Sequence, residues 1–157
     1  EAEAIRRYYD YMIRYENLFF DPELQDVTMT HTGWDNYEYQ CTSHKVSSYG
    51  EAGKIWMILR EKDYRKCIYL LNLCGQSEDY WNEGKEEPNI QKDIKFTVQV
   101  DTPVEKICFS TPDGKNMDAV ELLFTERATR TGKFIDFTVP SLNYWTTIWI
   151  DTRKETI

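Results

Sequence analysis

Histidine, glycine and proline are all scarce in this chain of 157 residues, and each shortage removes a class of mechanism. The only two histidines, His31 and His44, stand outside any Gly-x-Ser-x-Gly, His-Glu-x-x-His or Cys–His signature. Both read as turn or surface residues. Seven glycines scattered among turns leave no pattern that could cradle a phosphate, so no nucleotide cofactor is expected. No apolar run approaches the ~20 residues needed to cross a bilayer. A basic stripe is missing too, and the net charge of −8 with a pI near 4.8 repels phosphate backbones and anionic lipid. Neither nucleic acid nor membrane is an expected partner. Cys41, Cys67, Cys74 and Cys108 form no CxxC pair, which argues against zinc. Four cysteines allow three pairings. Cys67 and Cys108 sit in strand-like runs, where a thiol acts as a small buried hydrophobe, so free thiols are expected, with a disulfide framework as the alternative.

Aromatic side chains are plentiful: 11 Tyr, 7 Phe and 5 Trp. They can fill a thin sandwich core or stack on sugar rings. From Ile5 to Phe20 the pattern is helical, with Ile5, Tyr8, Tyr9, Met12 and Ile13 on one stripe. Tyr11, Tyr15 and Leu18 form a second stripe, and Pro22 ends the helix. A helix with two apolar stripes is satisfied between two bodies. Glu1-Ala2-Glu3-Ala4 looks like the spacer left by an incompletely trimmed yeast secretion leader, so residues 1–4 are set aside. The competing reading makes them a native first turn, since Glu and Ala are good helix formers.

Beyond Pro22 the period shifts toward two, and short runs alternate with turn residues. Asp26–Thr32 and Tyr37–Thr42 are weak strand candidates. Lys54–Arg60, Lys66–Leu73, Ile94–Val100, Glu105–Ser110, Ala119–Phe124, Lys133–Val139 and Trp145–Ile150 complete the series. Pro103, Pro112-Asp113-Gly114, Gly132 and Pro140-Ser141 supply the turns. The expected fold is all-β, an antiparallel Greek-key β-sandwich over 22–157, preceded by one N-terminal amphipathic helix over 5–21. One long connection, Cys74 to Asp93, interrupts the rhythm, and such loops are usually functional or packed as a flap.

Chemistry-bearing constellations are thin. Asp113 to Asp118 has a faint likeness to a calcium loop but lacks its closing Glu, and reads as a hairpin turn. Among 27 acidic residues some pair will fall at glycosidase separation by chance, and none sits in an obviously desolvating context. Catalysis by this chain alone is not expected, and neither a metal nor a cofactor. Loop aromatics are the better binding candidates. Tyr80, Trp81 and Asn82 lie within the long connection, where a flat ring with flanking amides and acids could hold a sugar. Tyr49 and Trp34 occupy shorter turns. The competing role is to pin loops onto the sandwich, since large aromatics are usually mostly buried.

Several segments resemble glycoside hydrolase family 66, which contains endo-dextranases and cycloisomaltooligosaccharide glucanotransferases. Tyr8-Tyr9-Asp10-Tyr11-Met12-Ile13-Arg14-Tyr15-Glu16-Asn17-Leu18 is similar to the helix leaving that family's catalytic barrel. Ser48-Tyr49-Gly50-Glu51 running into Ile55-Trp56, Asn72-Leu73 followed by Trp81-Asn82, and Val139-Pro140-Ser141-Leu142-Asn143-Tyr144-Trp145 with Ile148-Trp149-Ile150 are similar to its C-terminal domain. The resemblance implies a sandwich following a (β/α)₈ barrel in a secreted enzyme acting on α-1,6-linked glucan. It also places the family's catalytic Asp and Glu on the barrel, so no catalytic residue carries over. The implied role is a non-catalytic module that supports the barrel through the helix. A carbohydrate-binding module for dextran or isomaltooligosaccharides is the alternative. The cysteine content is higher than the family pattern implies.

Overall fold

The computed structural model describes residues 1–80 and 82–154. Two helical segments open the chain, α1 over Ala2–Arg14 and α2 over Glu16–Phe19. The expected single helix is therefore broken once, at Tyr15, whose φ of −111° and ψ of 36° leave the helical region. The break is tied to docking: the Tyr15 hydroxyl donates to the Met117 carbonyl and its ring packs against Trp149. Ala2–Ala4, set aside in the sequence reading, lie in the first turn of α1, where the Ile5 N–H donates to the Glu1 carbonyl at 3.1 Å.

Among the described residues eleven strands follow: β1 Gln25–Asp26, β2 Tyr39–Cys41, β3 Val46–Ser47, β4 Ile55–Lys62, β5 Arg65–Asn72, β6 Gln91–Val100, β7 Val104–Ser110, β8 Val120–Leu122, β9 Phe124–Thr129, β10 Gly132–Leu142 and β11 Trp145–Thr152. They build two sheets, one in the order β1-β4-β5-β11-β7-β8 with β3 also against β4, the other β2-β6-β10-β9. Every pairing is antiparallel except β3 with β4. The chain repeatedly crosses between the sheets, giving the all-β sandwich that the strand pattern predicts.

Alternation sets the core. In β4, Ile55, Met57 and Leu59 point between the sheets, and from the smaller sheet Ile94, Phe96, Val98 and Val100 of β6 meet them. Phe96 pairs with Phe137 of β10, and the two rings stack with centroids 5.5 Å apart. Strands β5 and β11 are buried on both faces, because the helical segments cover the outside of the larger sheet. This accounts for their near-continuous apolar runs. The architecture is three-layered at its centre: helix, larger sheet, smaller sheet.

Three strand expectations are corrected. The Asp26–Thr32 candidate keeps only Asp26, in β1, and a turn follows in which the Thr28 N–H donates to the Asp26 carboxylate at 2.8 Å. The expected Ala119–Phe124 strand is divided at Leu123, which is almost wholly exposed where the chain passes from β8 in one sheet to β9 in the other. Pro140-Ser141 is not a turn, since β10 continues through it to Leu142. Strand β9 pairs only Gly132 to Phe137 of β10, so Pro140 lies where one edge is open and its missing N–H breaks no ladder. The corner falls at Asn143-Tyr144 instead.

Candidate interaction surfaces

The helix docks through the shorter of its two stripes. Tyr11, Tyr15 and Leu18 are buried together with Cys67, Tyr69, Cys108 and Trp149. The fully buried Tyr11 hydroxyl donates to the Ser110 carbonyl at 3.1 Å and shares a 2.7 Å bond with the Ser110 hydroxyl. Its pKa is pushed up to about 12, chiefly by burial, so it stays a neutral donor. The ring meets Trp145 edge-on at 4.9 Å, and Phe19 contacts the same indole at 5.2 Å. Tyr69 donates to the Leu18 carbonyl, and Arg60 reaches the carbonyls of Phe19 at 3.0 Å and Leu24 at 3.1 Å. Arg60 thereby satisfies acceptors that the end of α2 leaves open. Tyr8 donates to Asp113 at 3.0 Å, and Lys62 pairs with Asp21 at 2.6 Å.

The longer stripe of the sequence reading is divided, since Tyr8 reaches Asp113 and Trp145 and Met12 is half-buried, while its other members face away. Ile5, Tyr9 and Ile13, spaced four apart on α1, are 56%, 60% and 66% exposed, and Phe20 beyond α2 is equally open. Side chains four apart lie above one another on a helix, so they form one apolar ridge.

Loop aromatics gather elsewhere. Trp34 and Tyr49, both expected as binding residues, stand exposed on adjacent loops that the Ser48 hydroxyl links by donating to the Trp34 carbonyl at 2.5 Å. Gly50 follows Tyr49 and lies on the Trp56 indole, where an added Cβ would sit 3.3 Å from ring atoms. Tyr37, unremarked in the sequence, is exposed in the same region, its hydroxyl donating to the Thr32 carbonyl at 2.6 Å. The alternation at the weak β2 run could have flagged it.

Tyr80 and Asn82 are exposed on the long connection, a separate loop closed by its own bonds. Lys85 donates to the Tyr80 carbonyl at 2.5 Å, and Gln76 donates to the Glu86 carbonyl at 2.8 Å. Trp81 lies outside the described residues. The ends of this loop are tied by the buried Asn72, whose amide donates to the carbonyls of Asn89 and Asn143 at 2.8 Å each. Its own carbonyl accepts from the Cys74 N–H at 3.0 Å.

Acid–base chemistry finds little support. The carboxyls of Asp21, Glu51 and Asp136 are all held below the usual range, by Lys62, Lys54 and Arg127 respectively. A general acid needs the opposite shift. His31 Nδ1 accepts from the Tyr37 N–H at 3.3 Å and bonds the Thr30 hydroxyl at 3.0 Å, while His44 Nδ1 bonds the Ser43 hydroxyl at 2.6 Å. Both sit in turn regions, as expected. The four cysteines are free thiols, Cys67 and Cys108 buried. Among the described residues no group of three or more His, Cys, Asp or Glu side chains converges as a metal site. In the calcium-like turn, Asp113 accepts from the N–H groups of Tyr144 at 3.0 Å and Trp145 at 2.8 Å. Its carboxylate is occupied by the protein.

Comparison with known proteins gives a consistent picture. The model of glycosyl hydrolase family 66 matches residues 2–149. Two cycloisomaltooligosaccharide glucanotransferases of Niallia circulans align over 149 residues, at 29% and 25% identity. Each alignment covers 94% of this chain but 15% of the relative's length. The crystal structure of a cycloisomaltooligosaccharide glucanotransferase from Paenibacillus sp., complexed with cycloisomaltoheptaose, superposes with a TM-score of 0.80. That likeness covers 94% of this chain and 20% of that one at 23% identity, and it supports the fold.

Proposed function

This chain belongs to glycosyl hydrolase family 66, and we propose that it is a non-catalytic accessory module that supports a separate catalytic barrel. The observation that carries the reading is the exposed ridge of Ile5, Tyr9 and Ile13, back to back with the face that docks α1 on the sandwich. An apolar ridge on the first element is what a helix wedged between two bodies presents. The chain spans only about 15% of the curated relatives it matches, which leaves ample chain in such proteins for a barrel to cover the ridge. On this reading the parent is a secreted enzyme acting on α-1,6-linked glucan, and this module sits on its C-terminal side.

The test uses the parent protein. Ile13→Asp in α1 is expected to lower the parent's unfolding temperature and glucan turnover, while the module alone keeps its own unfolding temperature. Equal parental stability in the variant would remove the docking role. Release of reducing sugar from dextran by the purified module would remove the non-catalytic one.

A further inference from the structure

We propose that the loops carrying Trp34 and Tyr49 form a binding platform for the pyranose rings of a neutral oligosaccharide, a function separate from support of a barrel. Trp34 is 72% exposed and takes a φ of +68°, directly after Gly33 at +92°. A bulky aromatic rarely adopts the left-handed region, and such a residue persists only where its surroundings over-determine it. Here they do. The Ser48 hydroxyl grips the Trp34 carbonyl, and the His31 N–H donates to the Asp35 carbonyl at 2.8 Å across the turn. The strain contributes nothing to burial, because the indole it presents is in solvent. Tyr64 takes a similar φ of +66° in the β4–β5 turn at 45% exposure, so what singles out Trp34 is its greater exposure and the clasp that sets it beside the loop of a second exposed aromatic, Tyr49.

The surroundings define what stacks. Tyr49 is 54% exposed on the clasped neighbouring loop. Next to the two loops runs a cleft of about 320 Å³ that Asp35, Asn36, Tyr37, Gln40, Ser47 and Ser48 line; Trp34 and Tyr49 stand outside it, each adjoining a lining residue in the chain. Small-ligand sites begin at roughly this size and pair a flat apolar surface with a few polar groups. Rings that offer an apolar face and a hydroxyl-bearing rim match that combination. Charge argues against an anionic ligand. The net charge is −8, and Lys54, within electrostatic reach of Tyr49 and Asp35, is committed to Glu51 at 2.9 Å.

Isomaltoheptaose and maltoheptaose are titrated into the purified chain, followed by tryptophan fluorescence and calorimetry. The α-1,6 linkage of the first probe rests on the functional reading above; the platform does not. Saturable binding is expected, weakened about ten-fold or more in both Trp34→Ala and Tyr49→Ala and largely retained in Trp34→Phe. Trp34→Gly is expected to raise the unfolding temperature while losing sugar, because glycine accepts the positive φ without strain. Binding of maltoheptaose alone, lost in Trp34→Ala, would support the platform and count against the parent's proposed glucan. No response to either sugar at millimolar concentration would overturn the proposal. So would affinity unchanged by both alanine variants.

Discussion

Replacing Asp113 with alanine should destabilise the module by about 3 kcal/mol. One carboxylate oxygen accepts from the backbone N–H groups of Tyr144 and Trp145, and the other from the Tyr8 hydroxyl at 3.0 Å. The residue therefore ties the β10–β11 corner, the turn after β7 and helix α1 to one point. Hydrogen bonds to charged groups contribute about 1.5–3 kcal/mol each, and the lower figure applies where water can replace the lost partner, as at the exposed Tyr144 N–H. Three partly solvated bonds, not fully additive, give the total of about 3 kcal/mol. For a domain of this length that is a fall of about 6–12 °C in unfolding temperature, or of about 1–2 M in the urea midpoint. Asp113→Asn keeps an acceptor for the two N–H groups and should cost about 1 kcal/mol. A double-mutant cycle with Tyr8→Phe should return a coupling of about 1 kcal/mol. An alanine variant within about 0.5 kcal/mol of the parent chain would refute the reasoning, that being the range of a featureless surface change. Millimolar calcium raising the midpoint would refute it differently, by making the carboxylate a metal ligand, since a site at 100-fold saturation adds about 2.7 kcal/mol.

Three further outcomes are expected. Leu18→Ala should cost about 3 kcal/mol by cavity formation under α2, while Ile13→Ser on the exposed ridge stays within about 0.5 kcal/mol; thermal unfolding of the isolated module reads both. Arg127, then Thr97, holds the Asp136 carboxyl below its ordinary 3.8, so its contribution is full above that value and fades as pH falls through the lower folded pKa. Asp136→Asn should accordingly flatten the acid side of the stability–pH profile below about pH 4 and leave its slope above pH 5 unchanged, as urea midpoints would show. Burial pushes the Cys67 thiol up to about 11, and at pH 8 a maleimide should label the half-buried Cys41 before Cys67, which reacts on unfolding; mass spectrometry of digests gives the order.

What the sequence revealed, and what it hid, follows from how local each cause is. The strands buried on both faces announce themselves, because every residue of Cys67–Leu70 is apolar or aromatic: Cys67 and Tyr69 meet the helical segments, Ile68 and Leu70 the core between the sheets. The two stripes of α1 were legible for the same reason: a period of 3.6 is a property of neighbouring residues. The break at Tyr15 was not, since its cause is a hydroxyl bond to Met117, 102 positions away. Pro140 misled because its steric effect is local while its tolerance depends on how far β9 extends along the partner edge. Short strands such as β1 and β3, two residues each, lie below what any periodicity can reveal.

The same distinction bears on the candidate binding surfaces. Trp34, Tyr49, Tyr80 and Asn82 could be picked out by residue type and loop context, and all four are exposed. Which of them lie on adjacent loops could not, because the bond that joins those loops runs from Ser48 to a carbonyl fourteen residues away. The positive φ of Trp34 was equally hidden: Gly33 advertises a turn, but the strained residue is the one after it. Positive φ at an exposed aromatic is shared by Tyr64 in the β4–β5 turn, so strain alone does not mark use. What separates Trp34 from the comparably exposed Tyr80 is the Ser48 bond that sets it beside the loop of Tyr49.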